Sequence, residues 1–158
     1  MPYFEDLKIG YREEIGSFTF TAELIKQFAS QFDPQPFHLD EEEGRRSLFG
    51  GLAASGWHVG SVGMKLLVAK RRRAAEAAVA AGSATDPAWG PSPGFRDLKW
   101  LKPVLAGDTL TYVSEIISLR ESASKPEWGI MQARTTATNQ RGEMAYAFTG
   151  IAFVPRRL

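Results

Sequence analysis

The sequence lacks cysteine and an excess of charge of either sign. Because none of its 158 residues is cysteine, disulfides, thiolate metal sites and cysteine nucleophiles are excluded. A cysteine-free chain fits a reducing cytoplasm, which is the compartment we expect. The 19 Lys and Arg residues nearly balance the 18 Asp and Glu residues, leaving a formal net charge of +1. A nucleic-acid binder needs a sustained basic surface to neutralise phosphates, so we expect no nucleic-acid partner.

Long apolar runs are also missing. No segment approaches the roughly 20 apolar residues that a helix needs to cross a bilayer. The first residues, MPYFEDLKIGYREE, carry acidic side chains and no apolar run of signal-peptide length. The apolar stretch from Gly56 to Ala69 is interrupted by Ser61 and Lys65. We therefore predict a soluble protein that makes no membrane contact and forms one globular domain over residues 1–158.

The first half of the chain has helical patterns separated by proline and glycine. Residues Ser17 to Phe20 predict a short strand, after which Thr21 can cap a helix that ends near Phe32. The helix is predicted from apolar residues at helical spacing, namely Leu24, Ile25 and Phe28. This segment is therefore expected to bury one face of a helix against a core.

Two prolines interrupt the helical pattern. Pro34 and Pro36 remove amide donors and push the residues before them toward extended conformations, so DPQPFH is predicted to be a stiff loop. A second short helix is predicted to begin after Asp40. With Glu43 three residues later, Asp40 has the form of a capping box in which Asp replaces Ser or Thr.

A long helix follows the next break. Gly50 and Gly51 interrupt the chain, and Ser55 is placed to cap a helix running from about Gly56 to beyond Lys70. Its early turns contain glycines at 56, 60 and 63, which would allow other backbone to approach the helix closely. We therefore expect other structure to wrap around this helix.

The second half of the chain alternates between apolar and polar residues. After a Pro- and Gly-rich loop predicted at 83–94, the alternating segments are FRDLKWLKPV, DTLTYVSEIISLR, EWGIMQARTTATN and EMAYAFTGIAFV. They predict four long strands. Their links at 106–107, 121–126 and 140–142 are short, so consecutive strands are expected to pair antiparallel. Helices followed by a mostly antiparallel sheet place the chain in the α+β class.

The candidate chemistry centres on one of the two histidines. His38 lies five residues after Asp33 across the two prolines, so a constrained loop can hold an imidazole and a carboxylate in fixed positions. Partial desolvation is expected to raise the pKa of this carboxylate, and a nearby imidazole can take or deliver a second proton near neutral pH, which suits general acid and base catalysis. Asp before Pro is also a common turn former, which is the structural alternative. A metal site of Asp33, His38 and Asp40 is a further alternative that lacks a fourth ligand.

The start of the long helix is a second candidate. Unpaired N–H groups and the helix dipole at Ser55 and Gly56 can stabilise an oxyanion, and glycine lets a carbonyl approach closely. A plain helix cap is the alternative. A nucleophilic role for Ser55 is disfavoured because no GxSxG elbow surrounds it. We expect His58, in the first turn, to be a structural histidine satisfied by a carbonyl.

These features occur in a recognisable order. The run FTFTAELIKQFASQFDPQPFHLDEEEGRRSLFGGLAASGW resembles the signature of the MaoC-like dehydratases, which include the (R)-specific enoyl-CoA hydratases. The positions in register are Asp33, Pro36, His38, Asp40, Phe49, Gly50 and Gly56. Further on, WLKPVLAGDTL resembles a strand-turn-strand of that family, through Pro103, Val104, Gly107 and Asp108. The resemblance covers about residues 17–70 and 95–154.

The resemblance implies a fold, a reaction and an assembly. The fold is a hot-dog domain, in which an antiparallel sheet wraps around one long central helix, and two subunits join their sheets edge to edge in a homodimer or higher homo-oligomer. The reaction interconverts a 2-enoyl-CoA and a 3-hydroxyacyl-CoA thioester with no metal or cofactor. Implied site residues are the acid/base pair Asp33 and His38, the oxyanion donor Gly56, and the substrate contacts Phe49, Gly50, Ser55 and Trp57.

The chain departs from the family pattern at several positions. Gln35 replaces the usual Asn, Ser55 replaces the usual His, and Trp57 stands where Met is common. The segment from Arg71 to Pro93 has no family counterpart and is interpreted either as a lid over the acyl pocket or as an extended helix end. The basic run from Lys70 to Arg73 could contact CoA phosphates or continue into solvent. An acyl-CoA thioesterase and a non-catalytic acyl-CoA-binding protein are the alternative functions.

Overall fold

The computed structural model describes residues 2–82 and 88–157. Four helices are α1 (Ala22–Phe32), α2 (Pro36–Leu39), α3 (Glu41–Arg46) and α4 (Gly56–Ala80), and a 3-10 turn at Phe4–Asp6 precedes them. Five strands are β1 (Arg12–Thr19), β2 (Gly94–Trp100), β3 (Thr109–Glu121), β4 (Trp128–Asn139) and β5 (Met144–Pro155). Within the described ranges, no helix has both the length and the apolar character needed to cross a membrane.

The five strands form one antiparallel sheet in the order β1-β3-β4-β5-β2. The predicted pairing of consecutive strands is confirmed for β3 with β4 and for β4 with β5. It is wrong for β2 and β3, because β2 pairs with β5 at one edge while β3 pairs with β1. The chain between them instead crosses to the segment before α4, where the Ala54 N–H donates to the Val104 carbonyl at 2.7 Å.

The central helix α4 packs against side chains of the sheet at its glycines. A Cβ added to Gly63 would lie 3.0 Å from the Tyr112 ring, and one added to Gly60 would lie 3.2 Å from the Tyr146 hydroxyl. The Tyr112 hydroxyl donates a hydrogen bond of 2.9 Å to the carbonyl of Val59. The expected α+β architecture, an antiparallel sheet around one long helix, is therefore confirmed, but the atoms that approach its glycines belong to aromatic side chains and not to backbone as expected.

The predicted helix caps are present. The Thr21 hydroxyl accepts from Leu24 N at 3.3 Å at the start of α1. The Ser55 hydroxyl accepts from Trp57 N at 3.2 Å at the start of α4. Asp40 caps α3 by accepting from the amides of its second and third residues at 2.8 and 3.0 Å. These short polar side chains satisfy amide groups that have no partner inside the helices.

Two local predictions need correction. DPQPFH is not entirely a loop, because Pro36–Leu39 forms one helical turn, which the Asp40 N–H closes on the Pro36 carbonyl at 3.0 Å. Proline is tolerated there because the first amide of a helix has no internal partner. The strand predicted at Ser17–Phe20 begins earlier, at Arg12, and ends at Thr19, since β1 continues along the edge of β3.

The segment without a family counterpart is mainly helical where the structure describes it. Residues 71–80 are the last turns of α4, as the extended-helix interpretation expected. Of the loop predicted at 83–94, residues 83–87 lie outside the described residues. Residues 88–93 have no regular secondary structure, and β2 begins at Gly94.

Candidate active site

The structure brings Asp33 and His38 together. Asp33 follows the last residue of α1, where its N–H donates to Ala29 O at 2.9 Å. His38 lies in α2 and is only 5% exposed. His38 Nε2 is 3.4 Å from Asp33 Oδ2. The turn that Pro36 begins thus places an imidazole beside a carboxylate, as the spacing predicted.

A backbone carbonyl determines which nitrogen of His38 carries the proton. His38 Nδ1 is 2.7 Å from the Ala53 carbonyl oxygen, which can only accept a hydrogen bond, so we assign the proton to Nδ1. In the neutral imidazole, Nε2 is therefore an acceptor that faces another acceptor, Asp33 Oδ2, at 3.4 Å. Two facing acceptors need a proton or a donating water between them. The arrangement is suited to holding a water molecule.

Three neighbours keep the Asp33 carboxylate ionised. Burial raises the pKa of Asp33, but hydrogen bonding from the Ser55 hydroxyl and the Gln35 amide, with the charge of nearby His38, outweighs it and lowers the pKa below its ordinary value. The Gln35 Nε2 donates to Asp33 Oδ1 at 2.8 Å. The expectation that desolvation would raise this pKa is therefore wrong: Asp33 is ionised near neutral pH and can accept a proton, but it is a weaker base than expected.

Ser55 connects this carboxylate to the start of α4. The Ser55 side chain is 1% exposed, caps α4 and also interacts with Asp33. The next residue, Gly56, supplies the first amide of a 25-residue helix. That N–H is one of the first four amides of the helix, which have no hydrogen-bond partner inside it, and it lies at the positive end of the helix dipole. An oxygen that gains negative charge next to Gly56 would be stabilised there.

The surface beside Gly56 is aromatic. A Cβ at Gly56 would lie 2.3 Å from Trp100 Cε2, so the indole covers the glycine. Trp57 is 55% exposed and packs edge-on against Trp100, with the ring centroids 5.3 Å apart. Together with Tyr146 and Phe148 these residues line a cleft of about 230 Å³. An apolar group bonded to a carbonyl carbon can pack in this cleft.

The two remaining predicted substrate contacts have different positions. Phe49 lies near His38, with the two rings 6.1 Å apart and nearly parallel, and it packs edge-on against Phe37 at 5.1 Å. Gly50 is an exposed turn residue with a φ of 70°, a conformation that favours glycine. Phe49 thus supports the imidazole, and Gly50 shapes the turn behind it.

Asp40 and His58 lie outside this pair. Asp40 accepts two backbone amides as the cap of α3, and the described part of the chain contains no group of three or more potential metal ligands. His58 is buried, but the expectation that a carbonyl would satisfy it is wrong for Nδ1, which has no hydrogen-bond partner among the described residues. Its ring stacks on Phe28 at 4.6 Å instead.

Two contributors to the site were not predicted from the sequence. Trp100 ends β2 and is the first residue of the run WLKPVLAGDTL, but it is not one of the matched positions in that run, and a large exposed aromatic residue at a strand end is only a weak indication of a binding surface. Ala53 contributes only its carbonyl oxygen, and its side chain gives no signal of that role. Trp100 reaches α4 through the pairing of β2 with β5, and Ala53 reaches His38 through the packing of α2 against the segment before α4.

Comparisons with known proteins agree with this geometry. The family model described as "FAS1-like, dehydratase domain region" matches residues 8–148. The crystal structure of a MaoC-like dehydratase from Rhodospirillum rubrum is 38% identical, with a TM-score of 0.82, and the match covers 100% of this chain and 99% of that one. An (R)-hydratase from A. caviae is 22% identical with a TM-score of 0.66, covering 96% of this chain and 99% of that one, and it shows a shared fold.

A shorter match links the chain to a named enzyme. Mesaconyl-CoA hydratase from Cereibacter sphaeroides is 36% identical over 64 residues. The match covers 40% of this chain and only 18% of that enzyme. It therefore concerns one segment of a much longer protein.

Proposed function

Because the chain belongs to the MaoC-like dehydratase family, we propose that it interconverts a 2-enoyl-CoA thioester and the corresponding 3-hydroxyacyl-CoA by adding or removing water. The observation that carries the proposal is the pair of facing acceptors, Asp33 Oδ2 and His38 Nε2, 3.4 Å apart next to the start of α4. The mesaconyl-CoA hydratase match supports a CoA thioester as the substrate class.

In the hydration direction, a water donates hydrogen bonds to Asp33 and His38 while its oxygen attacks the β-carbon of the enoyl group. Asp33 takes one proton from this water as the new C–O bond forms. The π electrons of the double bond move toward the thioester oxygen, and the pair then returns a proton to the α-carbon. The sum of these steps is the addition of one water, and dehydration follows the same path in reverse.

The thioester oxygen becomes negatively charged in the enolate-like intermediate. We assign its stabilisation to the Gly56 N–H and to the dipole of the 25-residue helix α4. A single preorganised donor of this kind lowers a barrier by about 3 kcal/mol in other enzymes. The Trp100 indole occupies the space where a Cβ of residue 56 would lie, so a thioester carbonyl that binds the Gly56 amide on this side requires the indole to move aside.

The remaining predicted contacts complete the substrate site. Ser55 holds the Asp33 carboxylate and caps α4, and Trp57 lines the apolar cleft next to Gly56. Phe49 packs near the His38 ring, and Gly50 allows the turn that follows Phe49. The chemistry assigned to these residues requires neither a metal nor an organic cofactor.

A reaction test separates hydration from the thioesterase and binding-only alternatives. Purified protein is incubated with 2-enoyl-CoA thioesters of several chain lengths, and the loss of the conjugated thioester absorbance is followed beside free thiol. Hydration predicts absorbance loss without thiol release. Thiol release at the same rate would indicate thioester hydrolysis, and tight CoA-ester binding with neither signal would indicate a binding protein.

We also propose a homodimer joined through strand β2. This strand is at the sheet edge and carries two large exposed aromatic residues, Phe95 at 56% and Trp100 at 48% exposure. An apolar edge strand with free backbone groups is a surface for pairing with a second copy. Light scattering should give twice the chain mass, and Phe95→Lys should shift it toward the monomer. A monomeric wild type would contradict this assembly.

A further inference from the structure

A second cavity lies at the other end of the central helix. It has a volume of about 450 Å³ and is enclosed by the C-terminal half of α4, the concave side of the sheet and the chain before β1. Its walls are mainly apolar, through Leu7, Leu67, Trp89, Ile116, Met131 and Ala133. Neither Asp33, His38 nor Gly56 lines it, so the cavity is separate from the proposed catalytic site.

Two cations on the cavity wall, Lys8 and Arg71, have no carboxylate partner within 4.0 Å among residues 2–82 and 88–157, and Lys8 is exposed to solvent. Arg71 is half-buried, and its guanidinium carbon is 4.2 Å from the centre of the Trp89 ring. Its helix neighbours differ, since Lys70 pairs with Glu13 at 2.8 Å and Arg72 pairs with Glu76 at 3.2 Å. Burial lowers the pKa of Arg71 and the charge of Glu13 opposes that effect, but the guanidinium remains charged.

The acidic groups on the cavity wall are already paired with other cations. Asp6 binds Arg157 at 2.7 Å, and Glu13 binds Lys70 at 2.8 Å. Neither carboxylate lies within 4.0 Å of Arg71 in the described structure. The unpaired charge on the cavity wall is therefore positive, and apolar side chains surround it.

From this arrangement we propose that the cavity binds a carboxylate at the end of a hydrocarbon chain, such as a medium-chain fatty acid. A partly desolvated cation without an anion is unfavourable, and a ligand carboxylate would supply that anion through the planar fork of Arg71. The apolar walls would bury the hydrocarbon chain. A volume of about 450 Å³ is within the range of small-molecule sites.

The inference does not depend on the proposed catalytic function. It assigns Arg71 to ligand binding and leaves Arg72, on the solvent side, as an ordinary surface ion pair. The basic run was expected either to contact CoA phosphates or to continue into solvent. The residues of this run instead have different surroundings. Lys70 and Arg71 both line the cavity, but Lys70 is paired with Glu13, whereas Arg71 has no carboxylate partner in the described part of the chain.

The test compares decanoate with decanol, which have the same chain length and differ in charge. Binding is measured by isothermal titration calorimetry and by amide chemical-shift changes in wild type, Arg71→Gln, and the matched control Arg72→Gln. Decanoate should bind wild type and Arg72→Gln equally, and at least tenfold more weakly to Arg71→Gln. Decanol should bind all three weakly and without difference.

A second variant keeps the test decisive if Arg71→Gln does not fold. Ala74 is exposed on α4 and lines the cavity, so Ala74→Phe should place a ring in the cavity mouth while Arg71 is retained. Decanoate binding should then be lost while the circular dichroism spectrum is unchanged. Equal binding of decanoate and decanol, equal effects of the two Arg variants, or loss of decanoate binding in Asp33→Asn alone would overturn the proposal.

Discussion

The Gln35 side-chain amide donates a 2.8 Å hydrogen bond to Oδ1 of Asp33, which leaves Oδ2 directed toward His38. Gln35 stands where the related family pattern has Asn, and its side chain is one methylene longer. The bond fixes the plane of the carboxylate and stabilises its charged form. Gln35 is therefore a positioning residue for the proposed catalytic base.

We predict that Gln35→Ala shifts the acidic limb of the pH profile. Loss of a hydrogen bond to the charged carboxylate raises the pKa of Asp33, so the fall of kcat/KM on acidification should begin at a higher pH. Gln35→Asn should recover part of the shift if the shorter amide reaches Asp33. Gln31→Ala, at an exposed position of α1, is the control. An unchanged acidic limb in Gln35→Ala would contradict the positioning role.

Gly56→Ala tests the contact between the start of α4 and Trp100. The new Cβ would lie 2.3 Å from Trp100 Cε2 and 2.5 Å from Nε1, so the indole or the start of α4, with its proposed oxyanion-binding amide, must shift. We expect a fall in kcat of about ten- to a hundredfold, comparable to weakening one oxyanion donor. Gly51→Ala, whose Cβ would make ordinary 3.6 Å contacts with Leu105, is the control. Equal activities of both variants would contradict this assignment.

Gly44→Ala should destabilise the fold without touching the catalytic pair. Its Cβ would lie 2.6 Å from the carbonyl oxygen of Gly51 and 2.7 Å from the amide nitrogen of Leu52, and neither backbone atom can rotate away. Overpacking of this kind costs about 1–3 kcal/mol. Urea unfolding should show the loss in Gly44→Ala, and a loss of the same size in the Gly51→Ala control would contradict it.

His58 should make stability depend on pH. Burial lowers the pKa of His58 from 6.5 to about 4, so the fold favours the neutral ring. The contribution of neutral His58 to the free energy of unfolding is fully present above the pKa that His58 has in the unfolded chain. It is lost as the pH falls from about 6.5 to about 4, because in that range only the unfolded chain takes up the proton. The loss is at most about 3 kcal/mol.

The matched variant for this prediction is His58→Phe, which retains an aromatic ring beside Phe28. The unfolding free energy of wild type should fall relative to that of the variant as the pH decreases from 6.5 to 4, whichever protein is the more stable at neutral pH. All other titratable groups are the same in the two proteins, so the comparison isolates His58. A difference that stays constant over this range would show that His58 does not titrate on unfolding.

The sequence predicted local features better than long-range ones. The Thr21, Asp40 and Ser55 caps depend on a few neighbouring residues, and all three are present. The pairing of β2 with β5 was not predicted, because alternation specifies which face of a strand is buried and not which strand is its neighbour. The helical turn at Pro36 was missed because proline was weighed as a helix breaker rather than as a first helical residue.

In the candidate site, too, the sequence predicted local contacts and missed those made by tertiary packing. The Asp33 and His38 spacing predicted their proximity because both lie within one short turn. The Ala53 carbonyl and the Trp100 ring reach the site through tertiary packing that leaves no short-range pattern. The unpartnered Nδ1 of His58 likewise depends on which aromatic side chains surround it in the fold.

The most direct test of the central claim is the steady-state rate of 2-enoyl-CoA hydration by wild type, Asp33→Asn and His38→Gln. These near-isosteric changes remove the proton-accepting groups of a pair whose Nε2 and Oδ2 atoms are 3.4 Å apart. Each variant should lose at least about a hundredfold in kcat while the unfolding midpoint changes little. Wild-type turnover in both variants would contradict the account, because water would then be activated elsewhere.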